Sequence, residues 1–147
     1  MFFSVIIPVF NRPVEVKDLL QSLSQQDYNN FEVIIIEDGS DFNCKNVVDE
    51  FSDKLEIQYF YISNVGQGFA RNFGMQRAKG DFYVLFDSDC IIPPSFFSSL
   101  SNAIQQRNLD AYGGPDTADS DFSALQKAMN YSMTSVLTPG GIRGKLK

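Results

Sequence analysis

Residues 31–38 read FEVIIIED, an apolar run without alternation that ends on two carboxylates. A strand with one face in water alternates apolar and polar residues, whereas a strand covered on both faces has no need to. Gly39 and Ser40 close the segment with turn residues. The same near-continuous character marks FSVIIPVF at 3–10, EIQYFYI at 56–62 and DFYVLFD at 81–87.

Helical spacing lies between these runs. Residues 13–26 predict a helix in which Val16, Leu19, Leu20 and Leu23 keep the i, i+3, i+4, i+7 spacing of one buried face. A weaker helix is expected near 45–53, and another from about 66 to 79 after a glycine-bearing turn. Pro93 and Pro94 suit the start of a further helix, with Phe96, Phe97, Leu100, Ala103 and Ile104 on its apolar face. A short strand around DAYGG (110–114) and a helix over 121–137 close the pattern. Strands alternating with helices give an α/β fold, a mostly parallel central sheet with helices on both faces. We take residues 1–137 as the folded domain. The glycine-rich, basic stretch 138–147, TPGGIRGKLK, is expected to be a flexible tail or the start of a missing half.

Such a fold predicts where function sits. Right-handed crossovers bring the carboxyl ends of parallel strands to one edge of the sheet, and ligands bind in the crevice along it. Asn11, Asp38, the stretch from Asn64 to Gly68, and Asp87 with Asp89 should therefore converge.

Composition narrows the chemistry. A chain of 147 residues supports one domain with a real core. Its net charge of −6 argues against a nucleic-acid partner, since phosphate neutralisation needs clustered Lys and Arg. With no histidine, any metal is a hard cation held by oxygen, and histidine is removed as a catalytic base. Cys44 and Cys90 form no CxxC and read as reduced thiols of a cytoplasmic protein. No run approaches the ~18 apolar residues of a membrane span, and the amino-terminal stretch lacks the basic start of a signal peptide.

Each candidate site residue has two readings. In an extended segment, Asp87 and Asp89 would point to one side and share a cation such as Mg²⁺ or Mn²⁺ with phosphate oxygens. Alternatively they form a solvated turn, with Asp89 capping the next helix. Asp38 could accept from a base N–H and a ribose hydroxyl, or bond its own turn. Glu37 alternates in side with Asp38, so one of the two should face the crevice. Asn11, followed by Pro13, reads most simply as a helix N-cap. In NVGQGFARNFG (64–74) the glycines let backbone approach a ligand, the helix start offers N–H groups to an anion, and Arg71 adds a cation; a glycine-permitted turn with a surface arginine is the plainer alternative. No G-x-x-x-x-G-K-[ST] occurs, so a Walker P-loop is excluded.

The ordered set SVIIPVFNR, IIEDGS and NVGQGFARNFGMQRAKGDFYVLFDSD resembles the family 2 glycosyltransferases, inverting enzymes with the A-type glycosyltransferase fold. The resemblance covers residues 3 to about 110. It implies that Pro8, Val9 and Asn11 contact the nucleoside, that Asp38 reads the base, and that Gly66 and Arg71 lie near base and phosphates. Asp81 matches an acidic residue at the start of the fourth strand. Asp87 and Asp89 match the family's D-x-D, with Asp89 the direct ligand of Mg²⁺ or Mn²⁺ and Asp87 nearer the ribose. The implied partners are a nucleotide-diphosphate sugar donor and a sugar, lipid or glycan acceptor. Two positions depart from the pattern: Glu37 replaces a common Asp, and Cys90 stands where many members carry an acidic or polar residue. Family members continue further and supply a catalytic Asp or Glu. None of Asp110, Asp116, Asp119 or Asp121 sits in a matching context, so the chain is expected to be truncated at the C-terminus, with its general base beyond residue 147. A truncated sheet would expose an edge through which copies could associate, and the full-length protein would be cytoplasmic or at the inner face of the membrane. Two rivals remain: a nucleotide-binding or interaction module without turnover, and a haloacid-dehalogenase-type phosphatase using Asp87 as nucleophile.

Overall fold

The computed structural model describes residues 1–113. The expected helix over 121–137, the tail 138–147 and Asp116, Asp119 and Asp121 lie outside the described residues. Met1–Asn108 form one unit, and Leu109 begins a second. In the second, residues 110–113 are not in a strand, contrary to the expectation for DAYGG.

The first unit runs β1 (Phe3–Val9), α1 (Pro13–Leu23), β2 (Phe31–Asp38), α2 (Lys45–Glu50), β3 (Ile57–Ile62), α3 (Gln67–Met75), β4 (Phe82–Leu85) and α4 (Phe96–Arg107). The strands form one parallel sheet in the order β3-β2-β1-β4. Every residue of β1 and β2 is buried, as their unalternating sequences require.

The chain steps outward from β1 to β2 to β3, then returns past both to the far side of β1. Right-handed crossovers running in opposite directions place their helices on opposite faces. Accordingly α3 packs on Ile6, Ile34 and Ile36, with Phe60, Ile62 and Phe73 around them. On the other face Phe97 of α4 stacks on Phe31, centroids 4.6 Å apart, and meets Phe3 at 5.5 Å. Gln26, just past α1, donates to the Pro93 carbonyl at 2.9 Å, and Ser22 Oγ of α1 accepts from the Ile92 N–H at 3.0 Å. These bonds tie α1 to the segment leading into α4.

α4 starts later than the prolines suggested. Pro94 disfavours the helical conformation at Pro93, so the helix opens at Phe96. Its buried face is Phe97, Ser101 and Ile104. The helix stops at Asn108, which takes the left-handed conformation at φ 50°. Among the described residues no helix is long and apolar enough to cross a membrane.

The amino ends of the strands are closed by a polar clasp that the sequence did not announce. Glu32 of β2 is fully buried, and its carboxylate accepts from Ser4 Oγ at 2.7 Å, the Lys79 N–H at 2.7 Å and Gln58 Nε2 at 2.8 Å. Asp81 belongs to this end as well, accepting the Phe2 N–H at 2.8 Å. The opposite, carboxyl edge is left for the loops.

Gly39 joins two of those loops. Its φ is +75°, and a Cβ there would lie 2.6 Å from the Asn64 backbone nitrogen. Gly39→Ala should destabilise the fold by about 1–3 kcal/mol, the scale of a forced left-handed backbone conformation. Urea unfolding of the two proteins checks this; an unchanged midpoint would show that the contact yields.

Candidate functional site

Strand order reverses between β1 and β4, because the chain runs from β1 outward to β2 and β3 and returns to the other side of β1, and such a reversal is where open α/β sheets bind ligands. A cleft of about 490 Å³ opens there. Pro8, Val9, Phe10 and Arg12 line it from the end of β1, and Asp38 from the end of β2. Asn64, Gly66 and Gln67 enter from the β3–α3 loop, and Asp87, Ser88 and Asp89 from the residues after β4.

Asp38 is 5% exposed, and its two oxygens accept the Val65 and Gly66 N–H groups, each at 2.8 Å. It does not bond its own turn. It anchors the start of α3, where Gly66 holds φ 91° at the N-cap. Each carboxylate oxygen accepts more than one hydrogen bond, so Asp38 keeps acceptor capacity toward the cleft.

Glu37 points the other way, as alternation required. It is fully buried and gathers the Ser40 hydroxyl, the Cys44 N–H (2.8 Å), the Cys44 thiol (2.9 Å) and the Tyr59 hydroxyl (3.3 Å). Burial, reinforced by the Glu37 carboxylate, pushes the Cys44 thiol and the Tyr59 phenol well above their ordinary ranges.

Ser40 carries this network to β1, its Oγ accepting the Asn11 N–H at 2.7 Å. Asn11 is not the N-cap of α1; Arg12 holds that position and makes no side-chain cap bond. Asn11 instead sits at φ 55°, and its Oδ1 accepts the Phe42 N–H at 3.0 Å. It therefore clamps the β1 and β2 loops together from behind the cleft wall.

Asp87 and Asp89 reach the cleft through a turn rather than an extended segment, with the Cys90 N–H donating to the Asp87 carbonyl at 3.3 Å. Extended i, i+2 geometry is thus not what places them together. Nor does Asp89 cap α4, which begins after Ser95. Arg71 Nη2 and Gln67 Nε2 donate to Asp87 Oδ1 at 2.6 and 3.0 Å, and Arg12 Nη1 donates to Asp89 Oδ2 at 2.6 Å. Both carboxylates are more than half exposed, and ion pairs this open contribute about 0–1 kcal/mol.

These residues fit a hard divalent cation. Their donors are oxygens, and the arginine contacts fall on one oxygen of each carboxylate. No group of three or more His, Cys, Asp or Glu among the described residues could hold a metal by itself. That suits an ion bound by one or two carboxylates together with ligand phosphates.

Of the sequence-predicted residues, Pro8, Val9, Asp38, Gly66, Asp87 and Asp89 line the cleft, Arg71 reaches it through Asp87, and Asn11 stands behind it. Asp81 is at the opposite end of β4. The reading of the sequence missed Arg12 as a partner of the D-x-D, and placed Gln67 at the crevice, within Asn64 to Gly68, without its partner Asp87. Arg12 follows a strand end on the carboxyl edge, so the rule that selected Asn11 could have selected it.

The profile of glycosyl transferase family 2 matches residues 4–145. The chain belongs to that family. A Rickettsia felis protein described as an uncharacterized glycosyltransferase is 31% identical over 128 residues, covering 84% of this chain and 21% of the relative. TarS of Staphylococcus aureus, a poly(ribitol-phosphate) beta-N-acetylglucosaminyltransferase, is 30% identical over 114 residues, 75% of this chain and 20% of TarS. The chain thus spans about a fifth of the length of these curated relatives. TarS residues 1–349, solved with UDP-GlcNAc, superpose with a TM-score of 0.71 at 27% identity, covering 82% of this chain and 39% of that one. A mannosyltransferase of Pyrobaculum calidifontis, solved with GDP-Man and Mn²⁺, gives a TM-score of 0.67 at 21% identity over 81% of this chain and 36% of its own, a likeness of fold. The family 2 assignment leaves the dehalogenase-type phosphatase without support.

The Glu37 network has a pH signature. The folded protein holds protons on Cys44 and Tyr59 that the unfolded chain releases from about pH 9 upward. The unfolded state then binds fewer protons, so stability is fully present below about pH 9 and falls as pH climbs above it. Urea unfolding at pH 8 and pH 10.5 should show this loss, reduced in Cys44→Ala. A slope identical in the variant would mean that the thiol takes no part.

Proposed function

We propose that this family 2 chain binds a nucleotide-diphosphate sugar in the carboxyl-edge cleft and forms the donor half of an inverting, metal-assisted glycosyltransferase. The observation that carries the reading is the meeting of four separate loops at the β1/β4 switch point, bringing Asp38, Gly66, Asp87 and Asp89 around one cleft. TarS, a relative solved with UDP and with UDP-GlcNAc, supports the class of donor.

Pro8 and Val9 supply an apolar wall for the nucleoside, and Asp38 accepts from its base. Asp87 faces the ribose side. Asp89, with Asp87, would hold Mg²⁺ or Mn²⁺, which when bound offsets charge on the departing diphosphate. Arg71 adds a guanidinium on the phosphate side. An acceptor hydroxyl of a sugar, lipid or glycan attacks the anomeric carbon as the bond to the diphosphate oxygen breaks, inverting that carbon. The hydroxyl proton passes to a general base. The cleft carboxylates Asp38, Asp87 and Asp89 serve the donor side in this reading, so the base is a different group.

Calorimetric titration with UDP tests the assignment. Affinity should rise at least about tenfold on adding Mn²⁺, and Asp89→Asn should abolish most of that rise, since removing a ligand or its support costs a metal site about 10–100-fold. Equal metal dependence in the variant would take Asp89 out of the site.

A further inference from the structure

Arg12 stands where helix electrostatics disfavour it. It occupies the N-cap of α1, where the helix dipole is positive and an anion, not a cation, is stabilised. Its side chain makes no cap bond; it crosses the cleft to Asp89, 2.6 Å away, and remains 46% exposed. Its backbone attachment is held firmly, because Asn11 is pinned by Ser40 and Phe42. A long cation on a fixed base beside a positive helix end is arranged for anions in the cleft. The Asp89 pair it makes is exposed enough to exchange readily.

We propose that Arg12 is a diphosphate-binding residue that couples cation binding to nucleotide binding by changing partners. The inference rests on the nucleotide-sugar reading of the cleft. Without nucleotide, Arg12 neutralises Asp89 through Oδ2, and a divalent cation must compete with it for that carboxylate, leaving a guanidinium beside a dication with no anion to receive it. When a nucleoside diphosphate is present, the guanidinium passes to the phosphate oxygens, for which its fork of donors is matched. Asp89 is then released to the cation. Each ligand therefore raises the affinity for the other by the same factor, as linkage requires. Arg71 is less suited to this exchange: it is 29% exposed and shares its acceptor, Asp87 Oδ1, with Gln67.

The test is Mn²⁺ binding by electron paramagnetic resonance on the 147-residue chain, with and without saturating UDP, for the parent, Arg12→Gln and Arg12→Lys. Without nucleotide, Arg12→Gln should bind Mn²⁺ about 3–5-fold more tightly, the scale of one exposed ion pair. The gain that UDP gives should shrink by about tenfold in Arg12→Gln, the scale of one charge-assisted phosphate contact, and be largely kept in Arg12→Lys. If UDP and Mn²⁺ bind the parent and reinforce each other equally in Arg12→Gln, the exchange is wrong and the cleft assignment stands. If neither binds the parent, both fall.

Discussion

Helix α3 lies unusually close to the sheet at one point. A Cβ on Gly74 would sit 2.7 Å from both Ile6 Cγ2 and Ile36 Cδ1, so the two isoleucines occupy the space that any other residue would need. This contact fixes how the returning crossover crosses β1 and β2, and hence where the amino end of α3 emerges. From that end come the Gly66 N–H bound to Asp38 and the Gln67 and Arg71 side chains bound to Asp87. The same crossover carries the chain back to the far side of β1 and creates the switch point. Packing in the core and placement of polar groups on the rim are one constraint.

The carboxylates divide along the same axis. Glu32 and Glu37 are fully buried, and each is surrounded by several donors. A buried carboxylate without such partners would be strongly destabilising. Asp87 and Asp89 are open to solvent and held by arginines in pairs of small net worth. The first kind shapes the sheet and its loops; the second kind can change partners when a ligand arrives. Asp38 lies between them, buried yet lining the cleft.

Much of this was legible in the sequence because burial on both faces leaves an unmistakable pattern. FEVIIIED became β2 with the bounds read from it, and FSVIIPVF became β1 less its last residue. The carboxyl-edge rule selected Asp38, Gly66, Asp87 and Asp89, and all four line one cleft. What escaped depended on tertiary partners. Asn11 looked like a cap because Asn before Pro is a common helix opening, but Ser40 and Phe42, contributed by another loop, pull it into a left-handed clamp. The contacts of Arg12 with Asp89 and of Gln67 with Asp87 escaped because nothing local marks a side chain as reaching a carboxylate far along the chain. Glu32 announced nothing, since its partners come from β1, β3 and the loop before β4.

The central claim is that a nucleotide occupies the cleft at the β1/β4 switch point. Amide chemical shifts recorded while UDP and Mg²⁺ are added to labelled protein test it most directly. The account predicts that the largest changes fall on Val9, Asp38, Gly66 and Asp87, together, at one saturating concentration. Changes centred on the small hollow at the amino end of the strands, beside Asn30, Lys54 and Glu56, or none at saturation, would contradict it.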